Sequence, residues 1–90
     1  MEISFDPAKR DETLRERGLD FAEAGRVFEG ETITQPDLRF AYGEDRYITY
    51  GLLGERAVVV VWTEREDNRR IISMRYAHAK EMEHVRLGRS

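Results

Sequence analysis

The chain has 90 residues, the size of one small domain, and a formal net charge of −3, which argues against a strongly basic nucleic-acid-binding protein. It contains no cysteine, which excludes disulfide frameworks and thiolate metal sites. The sequence has neither an apolar run long enough to span a bilayer nor the pattern of a signal peptide. We therefore expect a cytoplasmic protein, not bound to membranes, that forms a single domain over residues 1–90.

Charge is distributed unevenly along the chain. Residues 1–45 carry 6 Lys and Arg against 12 Asp and Glu, whereas residues 46–90 carry 9 against 6. Apart from Lys9 and Lys80, every cationic side chain is arginine, whose planar fork binds phosphates and carboxylates equally well. The second half is therefore a candidate surface for an anionic partner, although biased codon usage explains the arginines equally well.

The first segment of the chain predicts a short strand and a helix. Residues 1–5 alternate between polar and apolar side chains, which is typical of an edge strand. Asp6 and Pro7 form a favourable helix start, because aspartate caps the first amides and proline fits the first helical position. We expect this helix to run to Arg17 and to end at Gly18.

A second helix follows directly. Asp20 is its predicted cap, and Glu23 stands at the capping-box distance. Apolar side chains recur at helical spacing and form a single face that can cover a sheet: Phe21, Ala24, Val27 and Phe28. Gly30 ends this segment.

The remaining pattern is mostly that of strands. Residues 32–34 form a short strand signal, and residues 38–43 are compatible with either a loop or a strand. Residues 46–52 contain strong strand formers, and a turn at residues 53–55 leads into the apolar run at residues 58–62. Because that run is apolar on both faces, we expect it in the middle of the sheet.

The sequence after this run predicts a hairpin and a final helix. Residues 64–69 read as a polar turn, and residues 70–76 as the returning strand. Strict alternation places Ile72, Met74 and Tyr76 on one face and Ile71, Ser73 and Arg75 on the other. Residues 77–87 favour a helix that ends at Gly88. The expected fold is α+β, with two N-terminal helices, a three- to four-stranded antiparallel sheet and a C-terminal helix.

Common catalytic and cofactor motifs are missing from the sequence. His78 and His84 lie six residues apart, which does not align them on a helix as metal ligands. The serines do not stand in a nucleophile elbow, and the scattered glycines form no phosphate-binding loop. We therefore expect neither a metal nor a cofactor.

The arginines of the hairpin are the remaining candidates for chemistry. Cleavage of RNA by its own 2′-hydroxyl needs a base, an acid and cations that stabilise the charge on the phosphorane. Arg65 and Arg75 are predicted to hold a phosphate between them across the hairpin. The candidate bases are Glu44, Glu64 and Glu81, each of which needs a raised pKa, and His84. Ordinary salt bridges between Arg65, Arg69, Arg70 and the neighbouring Glu64, Glu66 and Asp67 are the alternative.

Several residues and short motifs of this sequence resemble those of a known family. They are Phe5-Asp6 with Lys9, Gly18 before Phe21, Glu23-Ala24, Val27-Phe28, Glu44 with Arg46, Gly51, residues 59–61, Thr63 with Arg65, Arg70-Ile71-Ile72-Ser73 with Arg75, Ala77 and Glu81. On these residues the chain resembles the BrnT toxins of bacterial type II toxin–antitoxin pairs. The resemblance extends over nearly the whole chain.

The resemblance implies a RelE-like fold and an endoribonuclease that needs no metal. It also implies an RNA substrate and a cognate DNA-binding antitoxin, through which the complex contacts operator DNA. The positions it points to are Lys9, Arg46, Arg65, Arg75 and Glu81. Together with the hairpin arginines, this predicts Arg65, Arg75, Glu81 and Lys9 as catalytic residues and Arg46, Arg69 and Arg70 as RNA-binding residues.

Some family positions hold other residues here. Where the family usually has Asn, Lys and His before the glycine, this chain has Thr13, Glu16 and Arg17, and Val85 replaces an aromatic residue. These departures favour an alternative function, a degenerate toxin that retains only antitoxin pairing and operon regulation. A third possibility is an unrelated α+β adaptor whose arginines bind an acidic peptide.

Overall fold

A computed structural model of the chain describes residues 1–83, which form one mixed sheet packed against helices. The elements in chain order are β1 (Glu2–Phe5), α1 (Pro7–Arg17), a 3₁₀ turn (Phe21–Glu23), α2 (Ala24–Glu29), β2 (Ile33–Pro36), β3 (Arg46–Leu53), β4 (Arg56–Arg65) and β5 (Asn68–Tyr76). Residues 79–83 begin a further helix. None of the helices within this range has the length and apolar character that crossing a bilayer would require.

The sheet has five strands in the order β1-β5-β4-β3-β2. Strands β2 to β5 pair antiparallel, but β1 pairs parallel to β5. The α+β class is confirmed, whereas the predicted count of three or four purely antiparallel strands is wrong. The parallel edge arises because a long segment containing both helices separates β1 from β5, and such a connection permits parallel pairing.

Strand β4 lies at the centre of the sheet, as its double-sided apolar run predicts. Val58, Val60 and Trp62 pack against the helices through Ala24 and Val27. Residues of β4 on the other face belong to a second buried cluster: Val59 and Val61 with Ile48 and Tyr50 of β3. The sheet therefore has two apolar faces, and α2 covers only one of them.

The helix boundaries follow the predicted signals. The Asp6 carboxylate accepts a 3.0 Å hydrogen bond from the Ala8 amide, and Gly18 ends α1 with φ +70°. The Asp20 carboxylate accepts from the Ala22 amide at 2.9 Å. The segment that Asp20 caps was predicted as one helix, but it divides into the 3₁₀ turn and α2.

The turn of the β4–β5 hairpin is shorter than predicted. The ladder continues to the pair Arg65–Asn68, so only Glu66 and Asp67 remain in the turn, with φ values of 48° and 67°. Positive φ at both central residues is the type I′ geometry, whose twist matches that of the flanking strands. The predicted six-residue turn is therefore wrong, because the ladder outweighs the cost of two left-handed residues without glycine.

A β-bulge in β5 changes the predicted faces of two side chains. Val61 pairs with Ser73 and Trp62 pairs with Ile71, which leaves Ile72 as the extra residue. As a result Ile71 packs in the helix-side core, whereas Ile72 packs on the opposite cluster with Val59 and Val61. Strict alternation assigned both isoleucines to the wrong faces.

The C-terminal helix can be compared with its prediction only in part. Residues 79–83 are helical, and the Met82 amide donates to the His78 carbonyl at 3.0 Å. The rest of the predicted segment, including His84, Val85 and Gly88, lies outside the described residues.

Gly51 on β3 provides a test of the packing between the sheet and α2. A Cβ at Gly51 would lie 2.7 Å from Val27 Cγ1 and 3.0 Å from Thr32 Cγ2. We expect Gly51→Ala to lower the free energy of unfolding by about 1–3 kcal/mol, because Val27 is fully buried and cannot move without disturbing the core. Urea denaturation of the wild type and the variant measures the change.

Gly25→Ala is the matched control. Its Cβ would meet Ile3 Cγ1 at an ordinary 3.7 Å, and alanine within α2 should stabilise the protein by about 0.5–1 kcal/mol. Equal destabilisation by both substitutions would contradict the close packing at Gly51.

Candidate functional site

The face of the sheet opposite α2 carries a groove of about 630 Å³. Its floor consists of apolar and aromatic side chains of β3, β4 and β5: Ile48, Tyr50, Val59, Val61 and Ile72. Its rim is charged and contains Asp37, Arg39, Arg46, Arg75 and Glu81. We call this side of the sheet the open face. An apolar floor with a charged rim is suited to a ligand that has both apolar and ionic parts.

Strand periodicity places further arginines on the open face. Arg65 lies two residues beyond Thr63 on β4 and shares the face of Val59 and Val61. Arg70 pairs with Thr63, and it lines a shallow depression together with Ser4, Arg65 and Asn68. Within residues 1–83 the Arg70 guanidinium forms no hydrogen bond or ion pair. Four strand arginines therefore share one face: Arg46, Arg65, Arg70 and Arg75.

Arg75 forms a two-pronged salt bridge with Glu81. Both guanidinium nitrogens lie 2.7 Å from the carboxylate oxygens, and the His78 amide donates to the same carboxylate at 2.8 Å. The Arg75 guanidinium is the main reason that the pKa of Glu81 falls to about 2. Glu81 is therefore an ionised carboxylate that fixes the orientation of Arg75.

A single carboxylate bridges two arginines of the open face, Arg46 and Arg65. Glu44 Oε1 accepts from Arg65 Nη2 and Glu44 Oε2 accepts from Arg46 Nε, both at 3.0 Å. The Arg65 hydrogen bond, followed by that of Arg46, holds the pKa of Glu44 below its usual value. The Arg46 guanidinium also stacks on the Tyr42 ring, 3.9 Å from its centroid. Arg46 is thus held from two directions.

The loop between β2 and β3 is organised by a buried carboxylate. Asp37 accepts two side-chain hydrogen bonds from Arg39 at 2.8 Å and one from the Tyr42 hydroxyl at 3.0 Å. The Arg39 guanidinium is the main reason that the pKa of Asp37 lies well below its usual range. The same loop leaves Leu38, which lines the groove, 86% exposed and Phe40, which lines a second pocket beside it, 70% exposed.

Arg65 and Arg75 do not converge on one anion. Arg75 pairs with Val59 and Arg65 pairs with Asn68, so the span of β4 from Val59 to Arg65 separates them by about 20 Å. Each guanidinium is bound to a different carboxylate. The prediction that these two arginines grip the same phosphate is wrong, because they lie at opposite ends of the hairpin.

Arg69 lies on the opposite face from Arg70. Its guanidinium stacks on the rings of Phe28 and Trp62, 4.0 Å and 5.1 Å from their centroids. Its Nε is buried and has no hydrogen-bond partner within the described residues. The two arginines that were predicted together as RNA-binding therefore point to different sides, and Arg69 packs in the helix-side core.

The remaining candidates are also dispersed. Lys9 is exposed on α1, does not line the groove and forms no ion pair with the described residues. Glu44 and Glu81 have lowered pKa values, which is the opposite of what a general base of raised pKa requires. Glu64 is exposed and does not line the groove, and His84 lies outside the described residues.

Arg17, which the resemblance places at a histidine position, lies in the last turn of α1. Its Nη1 donates to the Met74 carbonyl at 3.0 Å, which ties α1 to β5. In this position Arg17 contacts the sheet edge and is not part of the groove lining. Within the described residues no group of three or more histidine or acidic side chains could hold a metal ion.

Sequence reasoning missed the contribution of the loop. Asp37, Leu38 and Arg39 line one side of the groove, and Phe40 and Tyr42 line a second pocket beside it, yet residues 38–43 gave no clear periodicity. The available signal was the pair of aromatic residues in this short segment, Phe40 and Tyr42. The contact of Glu44 with Arg65 depends on strand pairing, which spacing along the chain does not reveal.

The chain matches a protein-family model described as the ribonuclease toxin, BrnT, of a type II toxin–antitoxin system. The match covers residues 5–81, which is most of the chain and includes all four strand arginines of the open face. A comparison with curated proteins found no match.

The lowered pKa of Glu81 predicts a contribution to stability that depends on pH. The carboxylate has a lower pKa in the folded protein than its ordinary 4.5, so its stabilising effect is complete above about pH 4.5 and is lost as the pH falls towards 2. We expect Glu81→Gln to destabilise the protein by about 1–3 kcal/mol at neutral pH and by less at about pH 3.

Urea denaturation of both proteins at the two pH values measures this difference. Arg75→Ala serves as the control, since removal of the partner should abolish the same pH dependence. If wild type and Glu81→Gln differ in the free energy of unfolding by the same amount at both pH values, Glu81 stabilises the protein by packing alone.

Proposed function

Because the chain belongs to the BrnT family of ribonuclease toxins of type II toxin–antitoxin systems, we propose that it is a cytoplasmic endoribonuclease that represses bacterial growth. It cleaves RNA without a metal ion and is neutralised by a cognate antitoxin. The antitoxin binds DNA, and only through it does the complex reach operator DNA. As part of this proposal, we also expect the fold to be similar to that of RelE.

The observation that carries this proposal is the grouping of Arg46, Arg65, Arg70 and Arg75 on the open face of a chain whose net charge is −3. Arginine forks match the geometry of phosphate oxygens, and the apolar floor beside them can contact bases or sugars. Seven of the twelve acidic residues of the first half lie in the helices or cap them. We therefore place the RNA on the open face.

In the proposed reaction the 2′-oxygen of one nucleotide bonds to its own 3′-phosphorus as the bond to the 5′-oxygen of the next nucleotide breaks. A base takes the 2′-hydroxyl proton, and an acid protonates the leaving oxygen. Arg75 donates hydrogen bonds to the phosphorane oxygens, where preorganised donors contribute most to the rate. Glu81 is a positioning residue that holds the Arg75 fork at 2.7 Å before RNA binds.

Arg46, Arg65 and Arg70 are proposed to bind the RNA backbone on either side of the reacting phosphate. Lys9 retains a catalytic role in this proposal only if the bound RNA extends to α1, because Lys9 does not line the groove. Arg69 is left out of the RNA-binding set, since its guanidinium packs on Phe28 and Trp62.

A second candidate function is a toxin that has lost its activity and retains antitoxin pairing. The observation in its favour is that the two glutamates bound to arginines of the open face, Glu44 and Glu81, have lowered pKa values. Neither can therefore serve as the acid, and each is a weak base. Purified protein incubated with total RNA, with and without the product of the neighbouring gene, separates the two functions.

Replacement of Arg75 tests the proposed reaction. We expect Arg75→Ala to lower the rate of RNA cleavage by roughly 10²- to 10³-fold, the usual cost of removing one preorganised donor, and to abolish growth arrest. Gel analysis of total RNA after induced expression measures both effects, and chelation of divalent metals by EDTA should leave wild-type cleavage unchanged.

Arg26→Ala is the matched control, because Arg26 is an exposed arginine of α2, on the covered side of the sheet. It should retain full activity. Wild-type cleavage by the Arg75→Ala protein, with its fold confirmed by circular dichroism, would refute the role of Arg75. Intact RNA after expression of the wild type would favour the inactive toxin.

A further inference from the structure

Two guanidinium groups of the open face converge on one anion, but they are those of Arg46 and Arg65. The strands that carry them are neighbours, and Arg46 pairs with Thr63, two residues before Arg65. This diagonal arrangement brings both side chains to the carboxylate of Glu44, with N–O distances of 3.0 Å to each of its oxygens. The pair of arginines thus forms a ready-made site for an anion with two acceptor oxygens.

We propose that the position between Arg46 and Arg65 binds a phosphate of the RNA backbone. In the free protein the Glu44 carboxylate occupies this position, and the RNA phosphate displaces it on binding. The inference rests on the proposed function, because it names the ligand of the same face. Glu44 is then a built-in competitor of the substrate.

The site is accessible from solvent and is partly preorganised. The side chain of Glu44 is 26% exposed and that of Arg65 is 54% exposed, so an incoming phosphate can reach both. Arg46 lies against the Tyr42 ring at 3.9 Å and keeps this contact when the carboxylate leaves. A stacked guanidinium loses less conformational freedom when it binds a new anion.

The backbone that follows Glu44 is held in place independently of its carboxylate. The Asp45 carbonyl accepts a 2.6 Å hydrogen bond from the Thr63 hydroxyl. The Arg46 carbonyl accepts from the Asp37 amide at 2.8 Å, which fixes the start of β3. The Glu44 side chain can therefore change rotamer while the start of β3 stays in place.

The direct test is Glu44→Gln, which removes the competing charge and leaves the shape of the side chain almost unchanged. The probe is a fluorescent single-stranded RNA oligonucleotide with 2′-O-methyl groups, which binds but cannot be cleaved. We expect the variant to bind it about 3- to 10-fold more tightly than wild type, since two partly exposed ion pairs no longer compete. Fluorescence anisotropy at physiological salt measures the affinity.

Glu23→Gln is the matched control. Glu23 also faces an arginine, Arg26, at 3.7 Å, but it lies on the helix side of the sheet. The substitution changes the net charge by the same amount, and screening beyond the Debye length should keep its effect on affinity below about 2-fold.

Arg65→Ala tests whether the gain depends on the proposed site. The variant should bind the oligonucleotide more weakly, and the slope of log affinity against log salt should fall in magnitude by about 0.7, the value for one phosphate contact on a single strand. In the double variant with Glu44→Gln, the gain from the glutamine should be reduced. Arg65 is chosen because its exposed side chain can be removed with less risk to folding than that of Arg46, which packs on Tyr42.

Three results would overturn the inference. Binding by Glu44→Gln that equals or falls below that of wild type would mean that Glu44 positions the arginines and does not compete with RNA. If Glu44→Gln raises the RNA affinity by the same factor when Arg65 is absent, the increase comes from the change in net charge and not from this site. In both cases the proposed ribonuclease function stands, because wild type still binds RNA. Absence of binding by both wild type and Glu44→Gln would instead refute the RNA-binding function itself, and the inference with it.

Discussion

The burial of β4 on both faces is the constraint on which the architecture depends. A strand with apolar side chains on both sides must be covered twice, and a chain of 90 residues has few elements with which to do so. The 3₁₀ turn and α2 cover one side with Phe21, Ala24 and Val27. The other side is enclosed by the loop between β2 and β3 and by residues that follow β5, and this irregular cover leaves the groove.

Most arginines of the open face are bound to carboxylates before any ligand arrives. Arg39 binds Asp37, Arg46 and Arg65 bind Glu44, and Arg75 binds Glu81, whereas Arg70 forms no ion pair within residues 1–83. Such pairing orients the guanidinium groups in the free protein. Under the proposed function, RNA binding exchanges one anion for another, and the clustering of arginines on one face offsets the net negative charge of the chain.

Local signals predicted local features well. The caps at Asp6 and Asp20, the end of α1 at Gly18 and the central position of β4 follow from short-range sequence patterns, and the structure confirms them. The bulge at Ile72 was not predictable from alternation within one strand, because a bulge is defined by the pairing with the neighbouring strand. The same limit applied to the site. The arginines were recognised by type, but their partners were determined by strand pairing, which joined Arg65 to Glu44 and separated it from Arg75.

The environment of Trp62 gives the molecule an optical probe of its own. It is the single tryptophan of the chain, its indole nitrogen donates to the Thr49 hydroxyl at 2.8 Å, and its ring contacts Phe28 and Tyr47 on the helix side. The sheet lies between this indole and the groove, so quenching or a spectral shift of its fluorescence reports on the packing of the helices. With a fluorescent ligand in the groove and Trp62 in the core, ligand binding and core packing can therefore be followed by two separate signals in one sample.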